Sequence, residues 1–458
     1  MSLDVGSAKT VRLHRLIGSD SIWVRLLRDG GWSVFVRVLA VLASLACTVT
    51  LARLLGPSEY GIYAFILAVV SIISLPVQMG LPTLIVRETS TALAMEDWPL
   101  ARGVWVWSTA AILACSVIVI GLIVAWAGIF GETMEPGRYR ALLWSLPLIP
   151  LLALGEARAA ALRGLHRVFL GQFPENVLRP LMIAGFVVIA AAAGSRIVGA
   201  TQALALHGLA ALLVAILGSV LLIRACPDEF RGNRTRRFEN SRWLRAIIPL
   251  SMIGGLQLIN HYTDLLMLGL LRSDAEVGLY RVALSAAGIA IFGLTAVNIV
   301  IQPYIARFHA LSDTVRLQRL VSIGSVASMG ATLPVLIFFT LGGKSFLSLV
   351  FGVDYSVAFV ALIILCLGQS VSAFFGPVGN LLAMSGHERE NLKGLAASAS
   401  ANVVLNAILI PLHGAEGAAT ATAVSVVLWN ICFWISARRL LGIDSTPFFA
   451  VRRSISKP

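Results

Sequence analysis

Apolar stretches long enough to cross a lipid bilayer recur from about residue 32 to residue 436, and no other feature of the sequence limits the fold so strongly. Crossing a hydrocarbon core of about 30 Å takes about 20 residues of helix. Inside that core each stretch must satisfy its own backbone N–H and C=O groups, so each is read as an α-helix. The spans fall at 32–54, 61–86, 103–127, 140–161, 177–194, 200–223, 246–271, 278–303, 320–341, 353–374, 395–411 and 414–436. Of the 458 residues, 58% are hydrophobic and only 13% are charged, with a mean hydropathy of +0.86. A soluble chain carries about 25% charged residues, so lipid is the outer solvent here. The expected fold class is all-α, a polytopic integral membrane protein with about twelve transmembrane helices.

The net charge of +13 would suggest a nucleic-acid partner in a soluble protein. Here the basic residues lie between the spans, where they set topology, and no nucleic acid is expected. Most of the 36 Lys and Arg residues fall in 1–31, 87–102, 158–167, 224–245, 307–319, 389–393 and the segment after 438. The opposite connections keep only Arg138, Arg140, Arg196, Arg272 and Lys344. This positive-inside bias puts both termini in the cytoplasm and makes the number of spans even. Residues 1–31 lack a cleavage site after an apolar core and read as a retained cytoplasmic extension, with Trp23 and Trp32 marking an amphipathic surface segment. Trp98, Trp105, Trp107, Trp126, Trp144, Trp243 and Trp434 sit near span ends, as interfacial anchors do. Five scattered cysteines without CxxC spacing give no metal or disulfide signal.

The basic segment 224–245 is the one long hydrophilic interruption. It reads as a cytoplasmic linker between an N-terminal six-helix bundle, 32–223, and a C-terminal one, 246–437, with a cytoplasmic tail at 438–458. Two short stretches echo each other across it. Gly56-Pro57-Ser58-Glu59-Tyr60-Gly61-Ile62-Tyr63 leads into the second span, and Ser273-Asp274-Ala275-Glu276-Val277-Gly278-Leu279-Tyr280 leads into the eighth. One offset superposes Glu59 on Glu276, Gly61 on Gly278 and Tyr63 on Tyr280. Halves with the same orientation imply parallel repeats about an axis along the membrane normal, hence two pseudo-symmetric six-helix bundles. The residues suit an architectural role. An acid before a helix meets its positive end, glycine permits close helix packing, Tyr supplies a hydroxyl, and Pro57 favours a tight turn.

The run from Leu51 to Tyr63, followed by Gly80-Leu81-Pro82 and Arg87-Glu88, resembles the opening of bacterial Wzx-type oligosaccharide flippases. These are polysaccharide exporters of the multidrug/oligosaccharidyl-lipid/polysaccharide exporter superfamily. The echo from Asp274 to Tyr280 is similar to that family's second repeat. The resemblance covers the first two spans and the twelve-span plan. It is diffuse from about 100 to 245 and after 320.

The resemblance implies two bundles around a central cavity in a bacterial cytoplasmic (inner) membrane. It also implies alternating-access transfer of an undecaprenyl-diphosphate-linked oligosaccharide to the periplasmic face, for lipopolysaccharide or exopolysaccharide export. Expected partners are the lipid-linked oligosaccharide, membrane lipid, a polysaccharide polymerase and a chain-length regulator protein. Two alternatives share the scaffold: a peptidoglycan lipid-precursor flippase and a cation-coupled multidrug exporter. A membrane-embedded polymerase or ligase is the more distant alternative. It needs a sizeable outer loop, whereas the longest proposed here is 128–139. There is no Walker A run, no HExxH and no convincing Ser/His/Asp set, so no enzyme, cofactor or metal is expected. H⁺ or Na⁺ coupling is among the energy sources open to the chain.

Such a substrate joins a prenyl tail, an anionic diphosphate and a polar glycan, so ionisable residues within spans are the first candidates. Each costs about 2.5–3.5 kcal/mol at a helix centre on insertion scales. Arg37 reads equally as a diphosphate contact or as a side chain snorkelling to the headgroups. Arg53 reads first as an interfacial or interhelical ion pair, with Glu59 as partner. Arg179 and Arg281 fit a cavity mouth or a boundary anchor equally well. Asp264 lies mid-span with Gln257, Asn260 and His261 on one helical arc. That stripe reads as a cavity face for sugar hydroxyls or a coupling ion, against an interhelical cluster in which Asp264 is paired to an Arg or neutral. Gln78, Asn298 and Gln302 are further candidates for sugar contacts, though each alone is more often a packing contact.

Overall fold

A computed structural model describes residues 19–78, 80–194, 199–226 and 235–448, with side chains from Phe35 onward except at scattered positions that include Gln257. The amphipathic reading at Trp23 and Trp32 falls outside the described side chains. In chain order the α-helices are α1 (Ser19–Ile73), α2 (Leu75–Gln78), α3 (Leu81–Met95), α4 (Trp98–Phe130), α5 (Pro136–Ser145) and α6 (Leu148–Gly164). They continue with α7 (Val168–Phe173), α8 (Arg179–Ala192), α9 (Ala200–Ala225), α10 (Asn240–Leu271), α11 (Asp274–Ala310) and α12 (Thr314–Val350). The last three are α13 (Phe359–Phe375), α14 (Val378–Met384) and α15 (Glu388–Leu441). A π-helical turn, Pro174–Leu178, joins α7 to α8.

Among the described residues, nine helical segments are long and apolar enough to span a bilayer. Two of them cross twice. α15 breaks at Gly414 (φ 54°, ψ −129°), and its two limbs then run antiparallel: Gly417 lies on Leu409, Ser398 bonds the carbonyl of Ser425, and Gly394 lies on Phe433. α1 breaks at Gly56 (φ 75°), a left-handed conformation that glycine adopts without strain. Pro57 then meets Gly278 and Thr48 meets Ser285, so the first limb runs antiparallel to α11. The second limb and α2–α3 run antiparallel to α10, with Phe65 on Gly269 and Gly80 on Leu250. With α10, a helix of 32 residues, the described chain makes twelve crossings in two pseudo-symmetric six-helix bundles.

The helices outrun the hydrophobic windows read from sequence, because a helix continues into the headgroup region where hydropathy drops. α10 starts at Asn240 and α12 spans Thr314–Val350. One anchor reading is corrected. Trp243 does not face the membrane interface; it is fully buried, packed on Trp107 with ring centroids 5.4 Å apart.

The repeat motifs meet between the two bundles, where the second limb of α1 and α11 begin. A Cβ on Gly61 would overlap the carbonyl oxygen of Asp274, and one on Gly278 would overlap that of Pro57. The backbones of the second and eighth crossings therefore touch where only glycine fits. The acids of the motif do not cap their own helices, as their position suggested. The N–H of Ala200, first in α9, donates to Glu59 Oε2 at 2.7 Å, and the Glu276 carboxylate lies at Gly414, where the twelfth crossing begins. Ser273 takes the N-cap of α11 instead. The tyrosines follow the same symmetry: the Tyr63 hydroxyl lies 2.9 Å from His207 on α9, and the Tyr280 hydroxyl lies 2.9 Å from that of Thr422 on the last crossing.

Candidate functional site

Two adjoining cavities lie between and within the bundles. The larger, about 650 Å³, is bounded by the first limb of α1, α6, the α7–α8 segment, α10 and α11. Arg37, Arg163, Arg179 and Arg281 line it, opposed by Glu156 and Glu175. Its charged rim comes from Arg37 in the first limb of α1, the end of α6 and the start of the α7–α8 crossing, the same face that holds the linker. Arg37 and Asn176 are exposed there, so the cavity opens toward the linker face.

Local sequence explains the acidic wall. Pro174 lacks an N–H and Pro180 follows, and between them the backbone takes the wider π-helical turn. That turn brings Glu175 into the bundle at 5% exposure. Gly155 leaves the space its carboxylate fills, and Arg179 Nη1 donates to Glu175 Oε2 at 2.6 Å. Glu156 and Arg163 are farther apart at 3.9 Å. Among the described residues Arg37 has no ion-pair partner, and Arg281 lies beside the Tyr60 hydroxyl. The larger cavity is therefore net cationic.

The smaller cavity, about 420 Å³, lies within the C-terminal bundle. Asp264, 3% exposed, sits at its edge. Tyr280 donates to Asp264 Oδ2 at 2.9 Å, Asn406 Nδ2 donates to Oδ1 at 2.6 Å, and Thr422 donates to Oδ2. Asn406 also donates to Asn402 Oδ1 at 3.0 Å. The carboxylate has hydroxyl and amide partners and no Arg partner among the described residues, which corrects the paired-arginine alternative. Asn260, His261 and Asp264 share one arc of α10, and all three line this cavity.

On the opposite face the halves are sealed. Arg138 grips Asp274 at 2.7 Å, donates to the Gly269 carbonyl at 2.8 Å and lies over the Phe65 ring at 4.8 Å. Arg53 donates to the carbonyls of Leu349 and Val350 at the end of α12, and Tyr355 donates to the Ala52 carbonyl at 3.0 Å.

The remaining sequence candidates sort as follows. Arg53 lies in that seal, outside both cavities, and its partners are carbonyls instead of Glu59; a helix C-terminus offers unsatisfied oxygens that suit a cation. Gln78 ends α2, away from either cavity. Asn298 and Gln302 face the packed linker-side part of the C-terminal bundle, with Gln302 against Met384, because the long α11 carries them past the cavity floor. The side chain of Gln257 is outside the described residues. Sequence reading passed over Glu175, Asn402, Asn406 and Thr422. The pair Asn402 and Asn406, one turn apart in an apolar span, was the available signal.

A sequence profile for the polysaccharide biosynthesis protein family matches residues 26–309. The chain belongs to that family. Its match covers α1 through α11 and so takes in the whole cationic cavity and Asp264. A probable low-salt glycan biosynthesis flippase, Agl15, of Haloferax volcanii is 24% identical over 384 residues, covering 82% of this chain and 75% of that one. Among solved structures, a multidrug resistance MATE family transporter of the MOP superfamily in its inward-facing conformation superposes with a TM-score of 0.69 at 13% identity. It covers 88% of this chain and 94% of its own. The lipid II flippase MurJ in an inward closed conformation gives 0.65 at 13% identity, covering 89% and 87%. This member of the polysaccharide biosynthesis family therefore has the fold of those transporters.

Proposed function

We propose that this protein carries an undecaprenyl-diphosphate-linked oligosaccharide across the cytoplasmic membrane by alternating access, for cell-surface polysaccharide synthesis. The observation that carries the reading is the cationic cavity between the bundles, open toward the linker and sealed on the other face. Arg37, Arg163, Arg179 and Arg281 surround a space where a diphosphate meets guanidinium forks in a low-dielectric setting. The name of the Haloferax volcanii relative and the family profile support a lipid-linked glycan as cargo. The lipid enters from the linker-side leaflet, its diphosphate exchanges headgroup water for arginine, and the halves rock so that the Gly61–Gly278 contact and the seal beside it part, exposing the cavity to the other side. The prenyl tail stays in the bilayer, so only the polar parts need a protein path.

The same cavity argues against a cationic drug, since four arginines oppose two carboxylates. It leaves a peptidoglycan lipid precursor as the nearest second reading, because that lipid carries the same diphosphate. Outer-face connections among the described residues are short: 131–135, 272–273 and 351–358 separate consecutive α-helices there. A polymerase or ligase site has little room on them.

For energy, we place the coupling ion at Asp264. Oxygen atoms of Asp264, Asn402 and Thr422 converge there, and Asn406 Oδ1 is buried without a hydrogen-bond partner. Such an all-oxygen set suits H⁺ or Na⁺ better than a transition metal. The test is purified protein in proteoliposomes with an undecaprenyl-diphosphate oligosaccharide, with and without an imposed proton or sodium gradient. Protein-dependent appearance of the glycan on the far leaflet supports the reading. No movement under either condition, with folded protein, overturns it.

A further inference from the structure

The two cavities differ in chemistry in a way that divides one substrate. The larger holds the charge, whereas the smaller has no Lys or Arg in its lining. Its single carboxylate, Asp264, is already engaged by three donors. Ser398 donates to the Ser425 carbonyl and Asn402 is held by Asn406, so what remains free is amide and indole: Asn260, Gln369 and Trp429. Trp429 packs on the apolar core formed by the ends of α11, α12 and α15, which fixes its ring as a platform. Asn260 Nδ2 is buried with no hydrogen-bond partner, a donor whose desolvation nothing in the described protein offsets. A volume of about 420 Å³ falls in the range of about 300–1,000 Å³ that encloses a small ligand.

We propose that this chamber is a glycan subsite, in which Trp429 stacks on a sugar face and Asn260 and Gln369 bond its hydroxyls. A pyranose ring presents apolar C–H faces and a hydroxyl edge, which matches an aromatic face ringed by amides. The proposal rests on the transport reading above, and places the sugars nearest the lipid beside, not among, the arginines. The two chambers adjoin as a sugar bonded to a diphosphate requires. His261, Leu284, Gly288 and Ile291 border both. Gly288 is the opening between them, since a Cβ there would meet no atom within 4 Å. A leucine at 288 would start from that open space and extend into the passage, and in mid-helix it replaces a weak helix former with a strong one.

The experiment is equilibrium binding of undecaprenyl diphosphate bearing no sugar, one hexose or a neutral tetrasaccharide to the full-length protein in lipid nanodiscs. Affinity should rise from the sugar-free lipid to the glycan-bearing ones. Trp429→Ala should lower affinity for the glycan-bearing lipids about tenfold and leave the sugar-free lipid unchanged. Trp429→Phe should recover part of the loss. Gly288→Leu should reproduce the selective loss, and unchanged binding of the sugar-free lipid reports that each variant is folded. If sugars add nothing, or if both variants weaken all three lipids equally, the subsite is wrong while the diphosphate reading stands. If the wild-type protein binds none of the lipids, both readings fail.

Discussion

At Gly61 and Gly278 the structure leaves no room for a single methyl group. A Cβ at either position would overlap a main-chain carbonyl of the opposite bundle, which cannot move as a flexible side chain can. Gly61→Ala or Gly278→Ala should therefore cost about 1–3 kcal/mol, as overpacking does, and should hold the seal open. The check is thermal unfolding in detergent, together with labelling of Ser285→Cys by a membrane-impermeant thiol reagent supplied on the face opposite the linker. Normal stability and an unlabelled cysteine would contradict the packing. Asp264→Asn keeps the shape of the side chain but removes its charge, so it should preserve abundance and abolish the response of flux to an imposed ion gradient. An unchanged gradient response would make Asp264 a packing residue. The stripe of Asn260, His261 and Asp264 was legible in sequence because helical spacing alone puts them on one face. Glu175 was not. Its placement depends on a π-helical turn and on the space at Gly155, neither of which hydropathy registers.

Among elements, the seal depends on helix ends. Arg138 opens α5 and Asp274 opens α11, and their bond joins one bundle to the other. Arg138→Gln or Asp274→Asn should shift the protein toward the state open on the face opposite the linker, raising thiol labelling at position 285. The double variant should cost no more than the worse single one, since both remove the same pair. Simple additivity would show that the two residues act separately. On the linker face, Arg237 bonds Asp97 and Glu239, and Arg242 bonds Glu239 and contacts Glu88, fastening the start of α10 to the N-terminal bundle. The hydrogen bond from Arg242, aided by Arg237, holds the Glu239 carboxyl below its ordinary range. A carboxylate whose folded value is depressed stabilises above its unfolded value of about 4.3 and loses that contribution as pH falls through the folded one. The fastening should therefore hold at neutral pH and loosen below about pH 4, read as cleavage within 235–243 by an acid-active protease. Resistance that does not change with acid would contradict it. Sequence foresaw a basic linker here, and its charges do more than set topology: several hold specific carboxylates. Those partners were not legible, because Asp97 and Glu88 lie more than a hundred residues upstream.

For the whole molecule, the twelve crossings and the twofold repeat were the legible part. Hydropathy marks each crossing, and a constant offset between Glu59-Gly61-Tyr63 and Glu276-Gly278-Tyr280 marks the repeat. What sequence does not carry is which charges share a space. Arg37, Arg179 and Arg281 come from three crossings in two bundles, and only helix packing brings them to one cavity, while Arg53, similar in sequence context, ends in the seal. This shared charge is what would move an anionic lipid. The most direct measurement compares transbilayer flux of an undecaprenyl-diphosphate oligosaccharide with that of an uncharged glycolipid bearing the same glycan, in proteoliposomes containing wild type, Arg37→Gln or Arg281→Gln at equal abundance. Wild-type flux should be selective for the diphosphate lipid and should fall about tenfold or more in either variant, the loss of one charge-assisted contact. Equal flux of the two lipids, or wild-type rates in both variants, would contradict it.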